Sequence, residues 1–479
     1  MFVGRENELE SLRLLLEKRT SSLVACRGRR RIGKSTLIEE FARRNGCRLI
    51  NIDGLLPRDG MTNQVQLDNF IEKLSAQTGI GGAKVETWFE AFRRLDEALV
   101  GDEWTVVLLD EVSWMGRYDA DFPARLKSAW DTMLRRHEKL IVVVCGSVST
   151  WIKRNILENT GFAGRFSRDI VVRELTLSQC KAFWGEAAAR LAPSEIIDVL
   201  SVTGGIPRYL EEVNPALSAN ENIKRMCFDR DGVLFGDFKA IFSQVFGEES
   251  LFKRKVLGLL IDGPRTCIEV ANSLGVVRGG SLSETLEVLV DAGFVTKDAG
   301  YNPETGRKAR TVKYRLSDNY TRFYLKYVLP HETEILSDTY RFETLETLPG
   351  WDAILGLQFE NLVVNNFGAL VKPLHLEGIP VLSAVPYVRR AKKGEGLGGG
   401  VQVDLLVQTR KSMYVVEVKR KKQIGESIES EVSAKVSKLR HPRGMSIRTA
   451  LVYEGSLAPV VRGNGFFDAI VSASDLLGL

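Results

Sequence analysis

Residues 23–45 read LVACRGRRRIGKSTLIEEFARRN, and the fold of the N-terminal part turns on how this stretch is read. Leu23 to Cys26 form an apolar, strand-like run. A loop follows that carries Gly28, Gly33, Lys34 and Ser35 in the pattern Gly-x-x-x-x-Gly-Lys-Ser. Leu37, Ile38 and Phe41 then recur at helical spacing. Strand, glycine loop and helix in that order are the context a phosphate-binding P-loop needs. The glycines let backbone N–H groups turn inward on an anion. Lys34 would reach the β- and γ-phosphates of a nucleotide, and the Ser35 hydroxyl would ligate Mg2+. Thr36 joins them as a nucleotide contact at the start of the helix. Arg29, Arg30 and Arg31 lie inside the loop and are expected to face solvent, with phosphate contact as the alternative.

A second motif supports the first. Residues 105–111, TVVLLDE, have the pattern of a buried strand ending in two acids. Asp110 would hold Mg2+ through water and Glu111 would polarise the attacking water. A third apolar run, LIVVVCGS, ends at Ser147, a position suited to contact the γ-phosphate from a neighbouring strand.

In order along the chain stand FVGRENELE, GRRRIGKST, LLDEVSWM, CGSVSTWIKRNIL, TGFAGRFSRDI and TGGIPRYLEEV. As a set they resemble the archaeal-type ATPase family, a branch of the STAND/AAA-related P-loop proteins. The resemblance covers roughly residues 1–235. It implies an α/β, RecA/AAA-like core followed by a helical lid. It also implies that Gly4, Arg5 and Glu6 sit near the adenine, and that Gly204, Gly205 and Pro207 shape the nucleotide pocket. Arg165 would be an arginine finger or a γ-phosphate sensor; a surface salt bridge is the alternative.

Residues 252–318 combine three helical stretches, a Gly-Pro break and two strand-like runs, which suggests a winged helix-turn-helix over 236–330. The helix placed to read DNA, SLSETLEVLVDAG, carries Glu284, Glu287 and Asp291 and no lysine or arginine. Basic residues come only in the following hairpin, at Lys297, Arg307, Lys308, Arg310 and Lys313. A protein-packing module and a DNA-contacting wing are both open. Residues 331–349 read as a linker.

Beyond it, residues 401–419 read as a hairpin: VQVDLLV, a QTRKS loop, then MYVVEVK. Alternation puts Val403, Leu405 and Val407 on one face of the first strand, and Tyr414, Val416 and Val418 on one face of the second. Asp404 and Glu417 lie equally far from the turn, so a symmetric hairpin sets them opposite each other. Opposed carboxylates repel unless a cation bridges them, and Mg2+ fits between. Lys419, two residues on, projects from the face of Glu417 and could stabilise charge on a phosphorane-like transition state. The set D…E-x-K resembles the PD-(D/E)XK, restriction-endonuclease-like superfamily, and Glu360 on the helical stretch LGLQFENLVVNN matches its upstream acid. Gln423 stands where some members carry a further polar residue. The alternative is a salt-bridged solvent face. The basic, glycine-rich stretch RRAKKGEGLGGG at 389–400 is either a phosphate-tracking loop or an insertion.

The bulk numbers agree with several soluble domains: 479 residues, 44% hydrophobic and 27% charged, with no run long enough to span a bilayer and no signal-peptide core at the N-terminus. A cytoplasmic location is expected. Six cysteines without a C-x-x-C pair argue against a zinc ribbon or a disulfide framework. Net charge is +5, but residues 386–450 hold 15 lysines and arginines against 6 acids. This points to a polyanionic partner, DNA in first place, at the C-terminal part.

The expectation is therefore an ATP- and Mg2+-dependent ATPase over 1–235 coupled to an α/β nuclease-like domain over 350–479. The nuclease residues would be Glu360, Asp404, Glu417 and Lys419, with Asp404 and Glu417 as metal ligands. Assembly into homo-oligomers through the ATPase part is also expected. Two rivals stand beside it: a signalling ATPase whose C-terminal domain binds without cleaving, and a transcription regulator acting through the winged helix.

Overall fold

The computed structural model describes residues 1–147, 149–246, 250–277, 279–309, 312–389 and 400–479. Residues 390–399 of the basic glycine-rich stretch and Arg310 of the hairpin fall outside them. The chain divides into two compact units, Met1–Glu174 and Leu175–Leu479.

In the first unit the apolar runs become parallel strands. They are β1 (Ser22–Arg27), β2 (Arg48–Asp53), β3 (Thr105–Asp110), β4 (Leu140–Gly146) and β5 (Phe166–Val171), in the sheet order β2–β3–β4–β1–β5. β1, β3 and β4 are the central strands and are buried almost throughout, as a parallel sheet covered on both faces requires. One face packs against an aromatic cluster in which Trp88 meets Phe122 edge-on at 4.8 Å between ring centres. The parallel order brings the C-terminal ends of β1, β3 and β4 together, so Gly28, Asp110 and Ser147 emerge at one edge of the sheet.

The second unit holds two sheets. A small antiparallel sheet joins β6 (Arg265–Thr266), β7 (Val295–Asp298) and β8 (Lys313–Leu316) in the order β6–β8–β7. Helices Ser250–Gly258, Cys267–Leu274 and Gly280–Asp291 accompany it. The basic hairpin is in part neutralised from within, because Lys297 pairs with Glu287 of the last of these helices.

The larger sheet contains β9 (Val381–Arg389), β10 (Val401–Thr409), β11 (Ser412–Ile424), β12 (Ser446–Leu457) and β13 (Ala469–Ser472). β10 runs antiparallel to both β9 and β11, whereas β12 adds parallel to β11 and β13 parallel to β12. The expected hairpin is present, with Leu405 opposite Val416 and Gln408 opposite Met413. Its face assignment needs correction. Against β9 the register of β10 shifts between Val403 and Leu406. A bulge there inserts an extra residue and breaks the alternation. Val403 consequently shares a core with Leu406, together with Met413 and Val415 from β11.

Helix Trp351–Asn365 packs against β11 and is tied to the chain after β8 by a buried polar network. Arg315 donates to Asp298 (2.9 Å) and to Asn361. Arg322 donates to Gln358 (2.6 Å) and to the Leu316 carbonyl (2.7 Å). Gln358 in turn donates to the Asn319 carbonyl at 2.7 Å. The described cysteines form no disulfide, and Cys26, Cys145, Cys180 and Cys227 are buried as expected of small apolar residues. No helix among the described residues is long and apolar enough to cross a membrane.

Arg315 and Asp298 are both buried, so removing one partner leaves an uncompensated charge in the interior. Arg315→Ala is expected to cost about 3 kcal/mol or more, read as a lowered midpoint in urea unfolding. An unchanged midpoint would show that the network contributes nothing net.

Candidate functional sites

The first site is built on the loop between β1 and helix Lys34–Arg44. Gly28 adopts φ 157°, and a Cβ there would lie 2.4 Å from the Val172 carbonyl oxygen, so only glycine fits beside β5. Gly33 has φ 85°, the left-handed conformation that turns the chain into the helix. Arg31 shares that region at φ 71°. Lys34 is buried, and its ammonium donates to the Arg29 carbonyl at 3.2 Å, folded over the loop it would serve. Thr36 stands exposed in the first turn of the helix.

Across the sheet edge, the Ser35 hydroxyl donates to Asp110 Oδ2, so the two expected Mg2+ contacts are already in touch. Their oxygens are of the hard donor type that Mg2+ takes. Glu111 has φ 47° and ψ 46°, an uncommon conformation for a non-glycine residue. Its Oε2 accepts from both the backbone N–H (3.1 Å) and the hydroxyl (2.9 Å) of Ser147. Ser147 thus orients Glu111, a contact the strand pattern did not reveal.

Other expectations shift. Arg29 is 6% exposed rather than solvent-facing. Arg30 lies over the Trp114 ring at 5.4 Å and 3.9 Å from Glu111 Oε1. Gly4 and Arg5 form a left-handed corner at φ 69° and 70°. The Arg5 guanidinium is buried and donates to the carbonyls of Ile32 (3.0 Å) and Arg173 (2.5 Å). It clamps the P-loop to the end of the β5 segment. Arg165 is held by Asp131 through two parallel hydrogen bonds of 2.8 Å. These bonds, aided by Lys127, hold the Asp131 carboxyl down at about 2. The salt-bridge alternative for Arg165 is the one observed. Pro207, with Gly204 and Gly205, belongs to the second unit, at the start of a short helix Pro207–Leu210.

The second site forms where the β10–β11 ladder opens. One step beyond Leu405 and Val416 stand Asp404 and Glu417. They are 8% and 0% exposed, so a solvated salt-bridged face is excluded. Asp404 Oδ2 accepts from the Val418 N–H at 2.9 Å, a bond that replaces the ladder there. Lys419 Nζ lies 2.9 Å from Glu417 Oε1 and 3.0 Å from Glu431. Lys419 thereby meets the buried Oε1 of Glu417 with its charge. Lys435 pairs with Glu417 Oε2 and lies 3.9 Å from Asp404 Oδ1.

Burial raises Asp404 to about 6, with the charge of Glu417 adding to the shift. Burial, then the charges of Asp404 and Glu417, push Glu360 up to about 8. Glu360 on helix Trp351–Asn365 therefore feels both carboxylates. For Lys419 burial acts downward, but its bonds to Glu417 and Glu431 outweigh that and raise it. Among the described residues no group of three or more acidic, histidine or cysteine side chains is spaced to hold a metal ion. A divalent cation here would take Asp404 and Glu417, with water and substrate oxygens completing the set, as Mg2+ commonly does. Two buried carboxylates set side by side, with Asp404 and Glu360 both raised, fit a further positive charge there.

Lys435 escaped sequence reasoning, although a signal exists. Ile428, Val432 and Lys435 fall at i, i+4 and i+7, so a lysine occupies the buried stripe of helix Ser427–Lys438. Sequence alone reads Arg420, Lys421 and Lys422, the basic run after Lys419, as phosphate holders, and the structure divides them. Arg420 is held by Asp198 (2.6 Å) and Glu454 (3.3 Å) and is not a phosphate holder. Lys421, Lys422 and Gln423 are exposed.

Residues 2–213 match the family model described as an ATPase domain predominantly from Archaea, which makes this part a P-loop ATPase domain. The match extends beyond Glu174 into the second unit. An uncharacterized protein of Methanocaldococcus jannaschii is 22% identical over 426 residues, 88% of each chain. A Walker-type ATPase of Pyrococcus abyssi aligns in structure at 17% identity and TM-score 0.48, over 68% of this chain and 96% of its own. The ORC2 protein of Aeropyrum pernix aligns at 14% identity and TM-score 0.43, over 70% and 95%.

The raised Glu360 has a consequence for stability. A carboxyl whose folded pKa lies above its unfolded value favours the fold at low pH, and that contribution is lost as pH rises toward about 8. In chelator, Glu360→Gln is expected to be increasingly stabilised relative to wild type between pH 5 and pH 8, roughly the interval between the two values. Thermal melts of both at matched pH check this; a pH-independent difference would rule it out.

Proposed function

We propose that the chain is an ATP-hydrolysing protein whose C-terminal part is a Mg2+-dependent phosphodiesterase acting on nucleic acid, DNA in first place. The observation that carries the second half is the fully buried Glu417, flanked by Asp404 and Lys419 at the opening of the ladder. Sequences rarely bury two acids side by side unless the charge has a task. The order helix, β9, β10, β11, helix, β12 supports a restriction-endonuclease-like domain. The order helix, β6, helix, helix, β7, β8 supports a winged helix between it and the lid.

In the N-terminal site Lys34 and the loop amides would hold the nucleotide phosphates. Ser35 and Asp110 would hold Mg2+, and Glu111, fixed by Ser147, would orient the attacking water. Gly4 and Arg5 would stand at the edge of the nucleotide site, Arg5 through its clamp on Ile32. Because Arg165 is engaged by Asp131, charge on the transferred phosphoryl would fall to the loop arginines or to an arginine of a second copy in an oligomer. In the C-terminal site Asp404 and Glu417 would hold the metal. Bound Mg2+ would supply a Lewis acid that polarises the phosphate and lowers the pKa of its water. Lys419 would stabilise charge developing on the phosphate oxygens. Glu360, which feels the charges of both carboxylates, would serve beside them as the third acid of the site.

One observation favours a second reading, in which this domain binds nucleic acid without cutting. Lys435 lies across both carboxylates, where a metal would lie. Plasmid nicking in Mg2+ separates the two. Wild type is expected to cut and Asp404→Ala to fall by about 10² or more; equal rates would remove the nuclease. For the ATPase, Glu111→Gln is expected to retain ATP binding and lose hydrolysis by about 10²-fold, measured as phosphate release. Unchanged turnover would take the water-orienting role from Glu111.

A further inference from the structure

We propose that Lys435 is a built-in counter-cation that holds the Asp404–Glu417 pair while no metal is bound, and that a divalent cation must displace it to enter. This rests on the metal-site reading of Asp404 and Glu417 given above. Two lysines serve the pair, and they are placed differently. Lys419 bridges Glu417 to Glu431, an acid outside the buried cluster, and so has a second anchor at 3.0 Å. Lys435 pairs instead with Glu417 and lies 3.9 Å from Asp404. Its ammonium is therefore the cation shared by both carboxylates.

The backbone supports that placement. Lys435 lies in the last turn of helix Ser427–Lys438, where the helix dipole favours a positive charge. Ile428 and Val432 hold the same helix face in the core, which aims the lysine at the sheet. The side chain nevertheless keeps 22% of its surface exposed. Its flexible stem gives the ammonium a route out to water. A divalent ion and an ammonium cannot share the gap between two carboxylates without strong repulsion. Occupancy by Lys435 and by metal thus exclude one another. The resting site is shut by its own lysine, and the affinity for metal is reduced by the fraction of molecules in that state.

Calorimetric titration of Mn2+ into the nucleotide-free full chain tests this, with Asp404→Asn defining the binding that belongs to the pair. Lys435→Gln is expected to bind Mn2+ about tenfold more tightly than wild type, and Lys435→Arg no more tightly. Lys435→Met, which keeps the stem without the charge, serves as a second variant. Melts supply an independent reading: in EDTA both neutral variants should unfold below wild type, and Mn2+ should raise them by more. Equal or weaker Asp404-dependent binding in the neutral variants overturns the proposal while leaving the metal site intact. Isotherms that Asp404→Asn leaves unchanged, in wild type and in Lys435→Gln alike, remove the metal site itself.

Discussion

A carboxylate with no exposure to solvent in the middle of a β-sheet has to be answered by positive charge, and the C-terminal part is organised around that demand at Glu417. Lys419 meets one oxygen and Lys435 the other. Asp404 is held by the Val418 amide, which is available because the ladder has stopped one step earlier. The bulge in β10 carries Asp404 at the point where two regular registers fail to match. The same economy of charge operates in the first unit, where Ser35 holds Asp110 and Ser147 holds Glu111 at the ends of adjacent strands. In both places an acid is fixed by a neighbour before any ligand arrives, which is the preorganisation that electrostatic catalysis needs.

Helix Trp351–Asn365 is the joint of the second unit. It is buried on more than one side, so it lacks the polar stripe of a surface helix. Its buried polar residues are answered one by one: Gln358 by Arg322 and the Asn319 carbonyl, Asn361 by Arg315 and Asn319. Burial lowers Arg322 to about 10, against the opposing pull of Glu360. Glu360 therefore stands on a helix whose rotation and register are fixed by directional bonds rather than by apolar contact alone.

What the sequence disclosed, and what it concealed, follows from range. The P-loop was legible because strand, loop and helix are contiguous and glycine is demanded by local geometry, as the Gly28–Val172 approach illustrates. The hairpin that carries Asp404 and Glu417 was legible because a tight turn fixes register, and its ladder runs to Leu405 and Val416, one step short of the two acids. The faces of β10 were not, since a bulge depends on the neighbouring strand. The fates of Arg165 and Arg420 were hidden for a related reason. Their partners, Asp131 and Asp198, lie 34 and 222 residues away, and no local pattern announces them. The P-loop arginines looked like solvent residues by type alone, yet Arg29 is buried.

The Arg420 contact bears on how the chain is divided. Asp198 lies on helix Pro193–Thr203, inside the segment that matches the ATPase family. Burial raises its carboxyl to about 6, and the charge of Arg420 opposes that shift. Arg420 follows directly on Lys419 in β11 and also reaches Glu454 of β12. Helix Trp351–Asn365 packs against the same helix, and the Leu177 amide donates to Asn366 just beyond its end at 3.1 Å. A stretch that belongs to the nucleotide-binding part by sequence thus belongs by packing to the body that carries the carboxylate site. Breaking it away would part the half-buried Asp198–Arg420 pair and uncover the helix face that packs on Trp351–Asn365, so the family boundary and the physical boundary do not coincide here.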